Sequence, residues 1–347
     1  MSVPSLSQVP PEDVLSKRDG DRMMAIVNPS YGPPESLRFK EVERPTPKDD
    51  EVLVKVRAAS VNAADWHLMR GKPALMRLMG FGLLAPSHKI LGADMAGRIE
   101  VVGKETKRFH PGEDVFGDLS KCGFGAFAEY VSVPESALAL KPGNISFEDA
   151  AAVPMAGVVA LQGLRDRGHI HSGQRVLVNG ASGGVGTFAV QIAKSFGAEV
   201  TAVCSTRNVE RMRSLGADQV IDYSKEDFTK GGQQYDLILA ANGYHSVSDY
   251  KRALAPKGVY VMTGGSSAQL FQSMILGPLN SMTGDKKMGN MMAKPNQKDL
   301  ETMRDLLETG KITPVIDRRY PLSETAEAVR YLEQGHAQGK VVVAVPA

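Results

Sequence analysis

The residues Val176-Leu177-Val178-Asn179-Gly180-Ala181-Ser182-Gly183-Gly184-Val185-Gly186 end an apolar run in a glycine-dense turn. That turn opens directly into Phe188-Ala189-Val190-Gln191-Ile192-Ala193-Lys194, whose apolar residues fall at helical spacing. The run reads as a buried parallel strand and the turn as a strand-to-helix joint. A joint of this kind can hold a phosphate. Gly183 lets the backbone approach a pyrophosphate, Gly186 lets the helix pack on the strand, and the free N–H groups of the helix start bind the anion. Ala181 stands where the first glycine of G-x-G-x-x-G would be. The candidate dinucleotide contacts here are Ala181, Ser182, Gly183, Gly184, Val185 and Gly186. An ordinary turn in any α/β protein would carry the same glycines, so the flanking strand and helix are what point to a dinucleotide.

The end of the next strand, Glu199–Cys204, decides which dinucleotide binds. A site for NAD places a carboxylate there, about 20 residues past the glycines, to hold the ribose 2′-hydroxyl. This chain has Ser205-Thr206-Arg207-Asn208 instead. A hydroxyl, a guanidinium and an amide suit a 2′-phosphate, which a carboxylate would repel. NADPH is therefore the expected cofactor, with Ser205, Arg207 and Asn208 as contacts. Arg207 could otherwise be a solvated charge, although a cation at a helix start opposes the helix dipole. Tyr223 ends the following short strand, either against the adenine and 2′-phosphate or as a surface tyrosine. Asn242, Gly243 and Gly264 end two further strands on the carboxyl side, where open sheets bind ligands; plain turn chemistry would also account for them.

These residues need two kinds of scaffold, and the chain has both. Before about residue 148, short alternating runs broken by Gly and Pro (MMAIVN, SLRFKEVERP, EVLVKVRAASVN, AGRIEVVG, GEDVFGDL, FAEYVSVP) predict an antiparallel, barrel-like β domain. After it, strand and helix patterns alternate as in a doubly wound parallel sheet. Helices are expected near 297–310 and 323–334, with a closing strand Val341-Val342-Val343 that resembles the first domain. The expected division is a loose arm over 1–22, a β domain over 23–147 and 314–347, and a Rossmann domain over 148–313.

Composition narrows the function classes. The 347 residues, 42% hydrophobic, suffice for two cores, and 41 Lys plus Arg against 39 Asp plus Glu leave no cationic excess for nucleic acid or anionic membrane. A small neutral or weakly anionic substrate fits better. Cys122 and Cys204 alone give no disulfide framework and suggest a reducing, cytoplasmic setting. No apolar run approaches the ~18 residues of a membrane span.

The stretches SVNAADWHLMRG, ILGADMAGRIEVVG, AAVPMAGVVALQGL, NGASGGVGTFAVQIAKSFGAEVTAVCSTRN, SLGADQVIDY and GHAQGK resemble the medium-chain dehydrogenase/reductase superfamily over residues 24–347. Within it they are most similar to the quinone oxidoreductase-like branch, which includes chloroplast-envelope homologues and enone reductases. The resemblance implies an α/β chain with a GroES-like β domain and a Rossmann domain. It also implies an enzyme that uses NADPH to reduce quinones or α,β-unsaturated carbonyls, commonly as a homodimer.

Zinc enzymes of the superfamily place a cysteine after the third strand and a His-Glu pair in a GHE motif. Here those places hold Asn62 and Ala93-Asp94, so the catalytic shell lacks most of its ligands. The resemblance puts Asn62 near the nicotinamide as a donor to the developing oxyanion, with Asp65 beside it. Both residues would also serve as helix caps. It further implies Ala156 beside the nicotinamide, with Val159 in place of a usual threonine. Lys340 would lie near the cofactor or on a solvated edge strand. The methionine-rich residues 266–295 would form a substrate lid or, more in keeping with the family, a subunit contact. A protein that binds NADPH in a structural role, as lens crystallins of the branch do, is the alternative function.

Overall fold

The computed structural model describes residues 21–74, 77, 81–265 and 285–346. Its β domain opens with a two-stranded antiparallel unit, β1 (Arg22–Val27) on β2 (Arg38–Glu43). Arg22 is thus already in a strand, and the rest of the expected arm up to residue 20 lies outside the described residues. The larger sheet contains β3 (Glu51–Val61), β4 (Asp94–Val102), β5 (Asp114–Asp118), β6 (Tyr130–Pro134) and β7 (Leu138–Leu140). It also contains β14 (Ile316–Pro321) and β15 (Lys340–Ala344), in the order β14-β15-β3-β4-β5-β7 with β6 also paired to β3. The last strand therefore returns to the first domain. It is an interior strand, between β14 and β3, so Lys340 does not solvate an edge.

The second domain has β8 (Arg175–Asn179), β9 (Glu199–Cys204), β10 (Gln219–Asp222), β11 (Tyr235–Ala240), β12 (Leu254–Met262) and β13 (Lys287–Asn290). They run β10-β9-β8-β11-β12-β13, all parallel. The order reverses between β8 and β11, the switch point at which such sheets bind ligands. Strand β13 lies inside the methionine-rich stretch. Met274 and Met282 fall outside the described residues, but Met288 is buried in β13, where pairing with β12 overrides the poor strand propensity of Lys-Met-Gly-Asn.

Eight α-helices occur among the described residues: α1 (Ala63–Arg70), α2 (Phe147–Ala151), α3 (Pro154–Gln162), α4 (Gly184–Ser195), α5 (Val209–Ser214), α6 (Val247–Ala253), α7 (Gln297–Glu308) and α8 (Thr325–Glu333). One apolar core joins the two domains. Ala58, Ala96, Phe116 and Val342 of the β domain belong to the same buried cluster as Val178, Phe188 and Leu239 of the Rossmann domain.

The tightest backbone approach lies where strand meets phosphate turn. A Cβ on Gly186 would stand 2.2 Å from the Gly180 carbonyl oxygen, and backbone on backbone cannot yield. A Cβ on Gly183 would find its nearest neighbour at 3.6 Å. Gly186→Ala should therefore lower stability by about 1–3 kcal/mol, whereas Gly183→Ala should leave it within roughly 0.5 kcal/mol. Thermal melts of the two variants check this ordering, and equal losses would contradict it.

Candidate functional site

The phosphate turn lies at the switch point with its donors uncommitted. The first amide of α4 with an intrahelical partner is Thr187, to the Gly183 carbonyl at 3.0 Å, which leaves the N–H groups of Gly184, Val185 and Gly186 facing outward from the helix start. Ala181 is buried and donates to the Val203 carbonyl. Gly180 has φ +79° and lies against Asn242, so it needs to be glycine. Gly243 donates to the Gly264 carbonyl, bringing Asn242, Gly243 and Gly264 to the same sheet end as the turn.

Beside the turn is a cavity of about 130 Å³ whose lining includes Ser182, Gly183, Ser205, Arg207, Asn208 and Tyr223. Two buried atoms there have no hydrogen-bond partner, Asn179 Oδ1 and Asn208 Oδ1. Asn179 Nδ2 donates to Tyr250 Oη and Asn208 Nδ2 donates to Ser205 Oγ, so in each amide one end is held and the other is left for a ligand. Orphaned buried polar atoms cost about 1–3 kcal/mol each. A bound nucleotide's hydroxyl or amino groups would satisfy them, and in this respect the residues fit a dinucleotide.

Sequence reasoning missed part of this wall. Gly335, His336, Ala337 and Gln338 close it from the β domain. Arg207 donates to the His336 carbonyl at 3.4 Å and Arg211 to the Gln338 carbonyl at 3.0 Å. Tyr244 also lines it, edge-on to Tyr223 with ring centroids 6.1 Å apart. The GHAQ segment before Lys340 was the available signal for the first group; Tyr244 had none.

The second half of the site is a knot of buried polar groups at the cleft. Asp94 Oδ2 accepts from Ser60 Oγ at 2.9 Å, Asn62 Nδ2 at 2.9 Å and Lys340 Nζ at 3.2 Å, while Oδ1 accepts from the Met155 N–H at 2.8 Å. Lys340 Nζ also donates to Asn62 Oδ1 at 2.5 Å. The lysine stem passes the start of α4, since a Cβ on Gly184 would stand 3.0 Å from Lys340 Cδ. Lys340 therefore links the phosphate turn to Asn62.

The cap reading of Asp65 and the site reading of Asn62 separate here. Asp65 is wholly buried, and its two oxygens accept from the Asn62 N–H at 2.7 Å and the Gly92 N–H at 3.1 Å, which completes the start of α1. These contacts are those of the cap reading, in which Asp65 positions the start of α1. The Asn62 side chain joins the knot instead, with one amide N–H on Asp94 and the other 3.4 Å from the Ser60 carbonyl. The amide expected to meet an oxyanion is already engaged. Ala156 is buried in the first turn of α3, next to Met155, and does not line the nucleotide cavity.

Two models of known families match the chain, the alcohol dehydrogenase GroES-like domain over residues 48–143 and the zinc-binding dehydrogenase over residues 215–343. The chain is 35% identical over 339 residues to a chloroplast envelope quinone oxidoreductase homologue of Arabidopsis thaliana, covering 93% of this chain and 99% of the relative. The chain belongs to the quinone oxidoreductase-like branch of the medium-chain dehydrogenase/reductase superfamily. An NADPH-dependent alkenal/one oxidoreductase of the same plant is 34% identical over 332 residues, 92% of this chain and 79% of the relative. The quinone oxidoreductase of Coxiella burnetii superposes with a TM-score of 0.83 at 27% identity, covering 94% of this chain and all of that one. In this medium-chain oxidoreductase no helix among the described residues is long and apolar enough to cross a membrane.

Burial, followed by the opposing Asn62 amide and then the Asp94 charge, leaves the Asp65 carboxyl raised to about 7. A folded value above the unfolded one near 4 means that its contribution is fully present below about pH 4 and is lost as pH rises through about 7. Melting temperatures should therefore fall across that window, and Asp65→Asn should be less stable throughout but flatter. Parallel pH profiles for the two proteins would contradict this.

Proposed function

We propose that the chain is a zinc-independent, NADPH-dependent oxidoreductase that delivers hydride to a quinone or to the β-carbon of an α,β-unsaturated carbonyl. The observation that carries this reading is the Lys340 ammonium, fixed by Asn62 and Asp94 beside the phosphate turn. Negative charge builds on the substrate oxygen as hydride arrives, and a preorganised cation in a dry cleft stabilises it more than water would. Two of the three N–H groups of Lys340 are held, and in this reading the third meets that oxygen. Asn62 and Asp94 set its position; Asp65 sets the start of α1 that carries Asn62. Bound NADPH would supply the hydride. The alkenal/one oxidoreductase and quinone oxidoreductase relatives support the substrate class.

Removing Lys340 alone would leave Asp94 buried without its cation, at a cost of about 3–5 kcal/mol, so the paired change Lys340→Met with Asp94→Asn is the better test. It should lower enone turnover by roughly 10²–10³ while NADPH affinity stays nearly constant, because the lost interaction forms mainly in the transition state. Asn62→Ala should cost less activity and also lower the melting temperature. Full turnover in the paired variant would sink the assignment of Lys340.

Coenzyme choice is supported by Ser205, Arg207 and Arg211 around a cavity end that carries no carboxylate from β9. Asp222, at the end of β10, is the opposing charge. The Thr206 hydroxyl leads the contacts that hold it down to about 2, and Lys225 stands 3.4 Å away. NADPH should bind at least about tenfold more tightly than NADH, roughly 1.4 kcal/mol, and Arg207→Ala should remove most of the difference. Calorimetric titration with equal affinities in the unmutated protein would refute it.

Metal independence is supported by Lys340, whose ammonium lies between Asn62 and Asp94 at two of the places where the zinc enzymes carry ligand-motif residues. Dialysis against a strong chelator should leave melting temperature and turnover unchanged. Loss of activity restored by zinc would overturn this. A cytoplasmic homodimer is the accompanying reading, supported by two free cysteines and by the outer edge of β13, which pairs with no strand among the described residues.

A further inference from the structure

Reduction of an enone consumes a proton as well as a hydride, and a site closed by a shared core must bring that proton in. Ser60, Asp94 and Asp118 stand directly opposite one another on β3, β4 and β5. Cross-strand partners place their Cβ atoms about 5 Å apart on one face of the sheet, so the two carboxyl groups are side by side. Both are buried. Asp94 reaches inward to Lys340. Asp118 also lines a separate cavity of about 200 Å³, together with Lys121, Cys122, Ser136, Pro295 and Asn296. A water needs roughly 10–15 Å³ and a few polar partners, so this cavity can hold several. Ser136 on its rim is exposed to solvent.

We propose that Asp118 and Asp94 form a proton-return path that carries protons from this water-accessible cavity to the Lys340 ammonium. The inference rests on Lys340 being the group that meets the substrate oxygen. Hydride adds to the β-carbon with its electron pair forming the new C–H bond, and the carbon–carbon π pair shifts toward the carbonyl as its C=O π pair moves onto oxygen, giving an enolate. One Lys340 N–H bond breaks as the proton passes to the enolate, leaving a neutral amine. The Asp118 O–H bond then breaks, its proton crosses Asp94 to the amine nitrogen, and the Asp118 carboxylate is reprotonated from cavity water. The balance is one NADPH and one solvent proton consumed per carbon–carbon double bond reduced.

The neighbours of Asp118 are consistent with this. Burial and then the Asp94 charge push its carboxyl up to about 6, near the working range of a general acid. Lys340 from β15 and the Ser120 N–H act in the opposite direction. Cys122 is pushed up to about 11 by burial and then by Asp118, so it stays a thiol and does not compete as an acid. Lys121 donates to the Pro295 carbonyl at 3.0 Å across the cavity. Asp65 faces Asp94 and Lys340 but is held by backbone amides and borders no part of this cavity.

The test uses the full chain with NADPH and an enone, following the first turnover and the steady state separately. Asp118→Asn should leave the first-turnover hydride rate within about twofold, because Lys340 starts protonated, and should lower steady-state turnover roughly tenfold or more with an increased solvent deuterium effect. Wild-type steady-state turnover should decline above about pH 6, and that decline should be absent in Asp118→Asn. Ser136→Trp narrows the cavity from its exposed rim without replacing a carboxyl group and should reproduce the steady-state loss. In the cofactor-free protein, infrared spectra should show a carboxyl band that titrates in the wild type, is missing in Asp118→Asn, and exchanges more slowly with D2O in Ser136→Trp. If the wild type reduces enones and both variants keep its turnover, pH profile and isotope effect, the path is overturned while the proposed function stands. If the wild type reduces no enone, the function itself fails, and the infrared exchange still reports whether the cavity feeds Asp118.

Discussion

Burying a carboxyl group costs several kcal/mol unless donors surround it, and at Asp94 four donors do so from three separate stretches of chain. Ser60 comes from β3, Asn62 from the start of α1, Lys340 from β15 and the Met155 amide from the start of α3. The first three belong to the β domain and the last to the segment that leads into the Rossmann domain. Any shift between the domains would strand a buried donor or acceptor, so this one carboxylate fixes the cleft and aligns the lysine with the phosphate turn.

The local parts of this arrangement were legible in the sequence. Period-two runs announced most of the β-domain strands, and the strand, glycine turn and helix over 176–194 announced the phosphate site, because each is set by neighbours in sequence. Asp94, Ser60 and Asp118 could not be read that way. Each sits at the end of an apolar strand where a polar residue ordinarily marks a turn, and only cross-strand register brings them into a row. The Gly-Lys dipeptide before the last strand points to Lys340 as a cofactor neighbour or an edge-strand charge, whereas its partners lie 246 and 278 residues away. Strand β13 escaped notice because its four residues carry no strand pattern and depend on β12.

Asn62 shows how one residue type can satisfy two expectations at once. Its backbone caps α1 through Asp65, and its side chain orients Lys340, so the helix cap and the site share a residue without competing. In the proposed reading, that economy lets the chain supply a positive charge without zinc. Lysine brings its own, and the Asn62 carbonyl and Asp94 carboxylate that hold it are acceptors, as a cation requires.

The most direct measurement of the central claim follows the label from NADPH dideuterated at C4 into the product of an enone. Deuterium at the β-carbon of the saturated carbonyl, with the α-hydrogen drawn from solvent, is the expected result. Consumption of NADPH with no deuterium at that carbon, or no consumption above the nonenzymatic rate across quinones and enones, would contradict hydride transfer as the function of this site.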